Sequence, residues 1–272
     1  MPRERVLVTV KTYPTLSLSH IELVCTAGFR EDGSWVRIYP IPFRLLAGDQ
    51  QFPKWTWIEL QLARRLKDKR PESFNPVNRD DITILEKIST AGDWRERKEW
   101  ALKRGKVWTN LSDLIAAGKR DEVSLATFQP AKMLGFEWQT STEDWDAEKL
   151  AAVTAQLQQT NFLEPDALKD DFKPARKLPF DFYYIFADEV GRESRMRILD
   201  WEIGMLFWNC RKPGVSDEEA LEKVKQKYET EFFKSDLHLF LGTTYEWHSR
   251  APNPWVIIGV FPPPKSVQEE LF

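Results

Sequence analysis

Two apolar runs, Ile21 to Phe29 and Trp35 to Ile41, face each other across Glu31-Asp32-Gly33-Ser34. Asp-Gly supplies the positive φ angles of a tight hairpin, so this stretch commits the N-terminal third to antiparallel β structure. In the second arm Trp35, Arg37 and Tyr39 alternate with Val36 and Ile38. That arm therefore has one apolar face and one mixed aromatic-basic face. Val6 to Val10 forms a β-branched run before the hairpin, Trp55 to Leu62 alternates after it, and Ile82 to Ile88 reads as a further strand.

Helical signals follow. Asp93 to Lys103 reads as a helix capped by Asp93, Ser112 to Ala117 adds a turn or two, and Glu143 to Gln159 carries Leu150, Val153 and Leu157 on one face with Thr142 as its cap. Glu122 to Phe128 and Lys132 to Trp138 read as strands between them. After a loop marked by Pro165, Pro174 and Pro179 come strands at Phe180 to Ala187 and Arg195 to Leu199. Asp200 then caps a helix, Ser216-Asp217-Glu218-Glu219 opens another with a capping box, and Leu237 to Thr243 and Trp255 to Phe261 close the chain's β content. Strands at both ends with helices between predict an α+β fold: a curved antiparallel sheet or a small β-barrel with inserted helices. In this element order the chain resembles the PUA and ASCH nucleic-acid-binding modules. The expected divisions are a β-rich half over 1–140, a helical connector over 141–179, an α+β half over 180–262 and a tail over 263–272. The two halves are separate domains or parts of one fold.

Composition excludes several classes. Thirty-nine Lys and Arg against 42 Asp and Glu give a net charge of −3, so the chain is neither a globally basic nucleic-acid wrapper nor an acidic tail. A polyanion must bind a local patch. Cys25 and Cys210 lie far apart without a CxxC, which argues against a disulfide framework and a four-cysteine zinc site and for a reducing, cytoplasmic setting. No apolar run approaches the length of a membrane span. His20-Ile21-Glu22 has the H-x-E shape of zinc deaminases but lacks the P-C-x-x-C that would complete the metal site, so no metal or cofactor is expected. Cys25 sits on an apolar strand and reads as core. Asp49 with Glu59-Leu60-Gln61 loosely matches a carboxylate pattern for Mg²⁺. A metal-dependent nuclease is accordingly one alternative function. Phe180 to Phe207 and Leu241 to Gly259 faintly resemble an uncharacterised prokaryotic family whose members carry cysteines and a histidine in the turn that here reads Asp188 to Arg195. Those ligands are missing here, and the resemblance implies no activity.

Two segments point to polyanions and partners. Arg64, Arg65, Lys67, Lys69 and Arg70 place five cations within seven residues, directly after the strand that carries Trp55 and Trp57. Cations hold phosphates and flat rings hold bases, so these seven residues are the candidate site for DNA or RNA. The ending Gln268-Glu269-Glu270-Leu271-Phe272 follows three prolines and resembles the Gln-x-x-Leu-Phe peptide with which many bacterial DNA polymerases, repair proteins and mobile-element proteins dock on the replication sliding clamp. The resemblance implies a docking role for Gln268, Leu271 and Phe272; the alternative is a tail folded back on its own domain. The expectation is a cytoplasmic nucleic-acid-associated protein recruited to DNA by that peptide, in DNA repair, on a mobile element or in phage defence. A protein-interaction subunit of a larger complex is the third alternative.

Overall fold

The computed structural model describes residues 2–17, 21–41, 43–46, 51–78, 81–142, 144–163 and 173–265. Seven strands build the first sheet: β1 (Arg3–Lys11), β2 (Thr15–Ser17), β3 (Ile21–Arg30), β4 (Trp35–Ile41), β5 (Thr56–Arg64), β6 (Ser73–Pro76) and β7 (Thr83–Lys87). They hydrogen-bond in the order β1-β3-β4-β6-β5, and β5 pairs back with β1, which closes a five-stranded barrel. β2 adds to β3 and β7 adds to β5 outside that ring. The period-2 pattern explains the closure. Val6, Val8, Val24, Val36, Ile38, Ile58, Leu60 and Leu62 make one continuous buried cluster. Gly33 takes the positive φ, +84°, that the Asp-Gly turn requires. At Gly28 a Cβ would stand 2.0 Å from the Leu7 carbonyl oxygen, so the close approach of β3 to β1 tolerates no side chain there.

The second sheet has the order β10-β11-β12-β14-β13-β9-β8, from β8 (Val107–Trp108), β9 (Leu125–Phe128), β10 (Lys132–Thr140), β11 (Phe180–Ala187), β12 (Glu193–Ile198), β13 (His238–Thr243) and β14 (Trp255–Phe261). Pairing thus passes from one sheet to the other between Lys87 and Val107. Five α-helices accompany the strands among the described residues: α1 (Ala91–Lys98), α2 (Leu111–Lys119), α3 (Ala147–Leu163), α4 (Trp201–Cys210) and α5 (Asp217–Lys225). Leu111 and Leu114 of α2, Phe207 of α4 and Leu221 of α5 pack with Phe128, Phe182 and Ile257 of the sheet. The α+β barrel with inserted helices expected from the element order is the observed architecture. No helix among the described residues is long and apolar enough to cross a membrane.

Local signals held where their partners are local. Ser216 and Glu219 make both bonds of the capping box on α5, and Asp200 accepts the Glu202 amide to cap α4. Two expected caps differ. Gly92, Asp93 and Trp94 all adopt positive φ, so Asp93 does not cap α1; its right-handed turns begin beyond Trp94, and the residue at its N-terminus, Thr90, makes no side-chain capping bond. In α3 the Lys149 amide donates to Asp146, and Thr142 instead accepts from Lys177. Both cysteines are unpaired.

The two sheets share a core. Leu7, Val10, Phe29, Trp55 and Trp57 from the barrel pack with Phe240, Ile258 and Phe261 from the second sheet. Beside this layer Asp200, fully buried, accepts Lys54 Nζ at 2.6 Å and the Val260 amide at 3.3 Å, which ties the β4–β5 connection to α4 and β14. Burial pushes the Asp200 carboxyl up to about 6 against the opposing pull of the Lys54 ammonium.

Candidate functional site

β5 and β6 are joined by the loop that holds the sequence's cation cluster, and β13 and β14 are joined by residues 244–254. A buried polar junction brings these loops together from different sheets. Arg70 closes on Asp68 in the same loop, with Nη2 to Oδ2 at 2.6 Å and Nε to Oδ1 at 2.9 Å, and sends Nη1 to the Thr243 carbonyl at the end of β13, 2.7 Å away. Ser73 donates its hydroxyl to Asp68. Burial raises the Asp68 pKa, but hydrogen bonds from Arg70 and Ser73 and the Arg70 charge outweigh it, so the carboxyl lies well below the usual range. Arg37 of β4 is 1% exposed and donates to the Ser124 hydroxyl and carbonyl, while Glu72 accepts from the Ser124 amide and hydroxyl. Arg70 and Asp68 thus neutralise each other out of water, while Arg37 and the half-buried Glu72 meet at Ser124, and the first loop is anchored to the opposite sheet.

His248 buttresses the second loop. Its Nδ1 lies 2.8 Å from the Thr243 hydroxyl and its Nε2 lies 3.0 Å from Asp121 Oδ1. The neutral ring protonated at Nε2 satisfies both partners, donating to the carboxylate and accepting from the hydroxyl. Burial lowers the His248 pKa, with Arg70 and Arg37 adding to that effect and Asp121 opposing it. Both ring nitrogens are engaged, so the imidazole positions the loop and has no free nitrogen for proton transfer.

Above this base lies a groove of about 360 Å³ lined by both loops, with Lys67, Lys69, Tyr245 and Arg250 among its walls. The Tyr245 hydroxyl donates to the Lys67 carbonyl at 3.3 Å, and the Arg70 guanidinium lies 5.8 Å from the Tyr245 ring centre. Tyr245 is 64% exposed, Trp247 51% and Leu66, at the tip of the first loop, 91%. Lys67, Lys69 and Arg250 make no ion pair among the described residues.

The seven residues expected to bind nucleic acid therefore separate. Lys67 and Lys69 face solvent at the groove. Arg70 lines it but is 6% exposed and committed to Asp68 and Thr243. Arg64 donates to the Ser73 carbonyl and lies 5.7 Å from the Phe74 ring, and Arg65 lies 4.7 Å from the Tyr39 ring. Trp55 and Trp57 are 7% and 5% exposed, against Phe261 at 5.1 Å and Trp100 at 4.9 Å between ring centres. They are core rings, because the second sheet and the residues after β7 cover the barrel face they occupy. The ring the structure brings beside the cations is Tyr245, which lines the groove, and Trp247 is exposed on the same loop, which the sequence reading passed over. Its signal was available: two large aromatics one residue apart in a Thr-, Ser- and Arg-containing stretch between strands.

Glu59 pairs with Arg3 at 3.2 Å. Asp49 and His20 lie outside the described residues, as do Gln268, Leu271 and Phe272. No group of three or more His, Cys, Asp or Glu side chains arranged to hold a metal occurs among the described residues.

The chain belongs to the family described as Domain of unknown function (DUF8757), whose model matches residues 106–272. A second model, Domain of unknown function (DUF8758), matches residues 2–103. No curated protein matches. Among solved structures, one titled "Structure of murine DNA binding protein bound with ds DNA" is similar at 9% identity and a TM-score of 0.31, with 98% of each chain covered.

Proposed function

We propose that the chain binds nucleic acid in the groove between residues 65–72 and 244–251. The observation that carries this reading is the convergence in one groove of three cations without an ion pair among the described residues, Lys67, Lys69 and Arg250, with the exposed Tyr245 ring, and with Trp247 exposed on the same loop, over a base held by the Arg70–Asp68 pair. Phosphates need mobile positive charge in water, and the buried pair beneath supplies rigidity without competing for it. On a chain with a net charge of −3, such binding is local rather than global. Fluorescence anisotropy with single-stranded DNA, duplex DNA and RNA, each with and without Mg²⁺, tests the proposal. The variant Lys67→Glu/Lys69→Glu/Arg250→Glu, folded to the same melting temperature, should lose at least about tenfold in affinity, because three charge reversals remove three phosphate contacts. Equal binding by variant and wild type would exclude the groove.

We propose further that Gln268, Leu271 and Phe272 dock on a replication sliding clamp and so recruit the protein to DNA in repair, on a mobile element or in phage defence. The five-residue pattern supports this reading, as does the anchoring of the chain just before it, where Pro263 and Pro264 carbonyls accept from the Asp236 amide and Lys98. Burying Leu271 and Phe272 is worth about 3–6 kcal/mol before ordering costs, which limits a lone peptide to roughly micromolar affinity. Calorimetry against a purified bacterial clamp should show binding by the full chain and none after deletion of residues 268–272. Equal heats from both proteins would reject the docking role.

A further inference from the structure

We infer that the groove takes single-stranded rather than duplex nucleic acid, with Tyr245 and Trp247 as stacking platforms for unpaired bases; this rests on the nucleic-acid reading above. Leu66, Tyr245 and Trp247 expose large apolar surfaces on the two loops that also present Lys67, Lys69 and Arg250. Apolar rings in water are unfavourable, and what they gain from a ligand depends on the surface it offers. The outside of a duplex offers charged phosphates and sugars, on which a ring finds no apolar partner. A single strand offers both kinds of surface in alternation: phosphates for the cations and base faces for the rings.

The charge pattern fits the same ligand. Three cations with no ion pair among the described residues flank a short groove, enough for a few successive phosphates; of the two carboxylates that line it, Asp68 is neutralised by Arg70 and Glu246 is exposed, so the groove's lining outside the Asp68–Arg70 pair carries three positive charges against one negative. The rings are presented on a loop whose backbone is fixed in advance. His248 bridges Thr243 and Asp121, and Tyr245 bonds across to the Lys67 carbonyl. Less ordering is then required when bases stack, which favours the bound state. The Arg70 guanidinium, 5.8 Å from the centre of the Tyr245 ring and held by Asp68, packs beside that platform from below.

The test is anisotropy with a strand of about twelve nucleotides and its matched duplex, the length being set by the usual span of single-strand sites. Wild type, Tyr245→Ala, Trp247→Ala, Tyr245→Phe and Trp247→Phe are compared, with folding checked by near-UV circular dichroism. Wild type should bind the single strand at least about tenfold more tightly than the duplex, and each alanine variant should lose roughly tenfold on the single strand alone. The phenylalanine variants should keep most of the affinity, since they keep a ring. Equal or tighter duplex binding, or alanine variants that bind the single strand as wild type does, would overturn the inference while leaving the groove as a nucleic-acid site. Binding to neither ligand would overturn both readings and give the exposed rings to a protein partner.

Discussion

Asp68 is a carboxylate with nowhere else to go: its side chain is 1% exposed, and Arg70 and Ser73 supply its hydrogen bonds. Replacing Arg70 with Met would strand that charge and leave the Thr243 carbonyl with only the longer bond from Arg37, at 3.4 Å, which should cost about 3–5 kcal/mol in chemical denaturation. Lys67→Ala, a few residues away and solvated, should shift stability by no more than about 0.5 kcal/mol. His248 gives a pH signature. Its folded pKa lies below the ordinary value, so the folded state favours the neutral ring and the unfolded state binds the proton more readily. Its contribution is therefore present above about pH 6.5 and lost as pH falls below that. The melting temperature should drop between about pH 7 and about pH 5.5, and the drop should shrink in His248→Gln, whose amide can serve both partners. In sequence the cations from Arg64 to Arg70 are equivalent. What distinguishes them is Ser73, Phe74, Tyr39 and Thr243, all four in other strands.

Elements whose instructions are local were legible. The Asp-Gly hairpin, the capping box at Ser216, and the strands Phe180–Ala187 and Trp255–Phe261 follow from turn chemistry, side-chain reach and β-rich runs. Removing the cap by Ser216→Ala frees the Glu219 amide and should destabilise by about 1 kcal/mol, readable as a small fall in denaturation midpoint without a change in slope. Less was legible where a second element decides. The alternation Trp55-Thr56-Trp57-Ile58 reports a strand with two faces, yet says nothing of what covers each face. Here Phe240, Phe261 and Trp100 cover the tryptophans, and the face that looked free for bases is interior. Arg37 repeats the lesson on β4: its mixed aromatic-basic face meets Ser124 and Thr243. The 244–254 loop had its signal in Tyr245 and Trp247, but only tertiary pairing shows that it lies against the cation loop.

At the scale of the whole molecule, two family models match the chain on either side of residues 104–105, while the barrel and the second sheet bury one apolar layer between them. Isolated from its partner, either part would expose rings such as Phe29, Trp55 and Phe240, so heat unfolding of the full chain should be a single calorimetric transition. Lys54→Met should lower that transition, by about 3–5 kcal/mol at the midpoint, since it leaves the buried Asp200 carboxylate unpaired at the seam. Two separated transitions in the wild type would show that the halves fold independently. The groove depends on the same seam, because one of its loops belongs to each sheet. The salt dependence of single-strand binding tests that account most directly. Three phosphate contacts from Lys67, Lys69 and Arg250 predict a slope of log K against log salt of about −2, falling toward zero when all three are replaced by Ala. A wild-type slope near zero, or an unchanged slope in the triple variant, would contradict it.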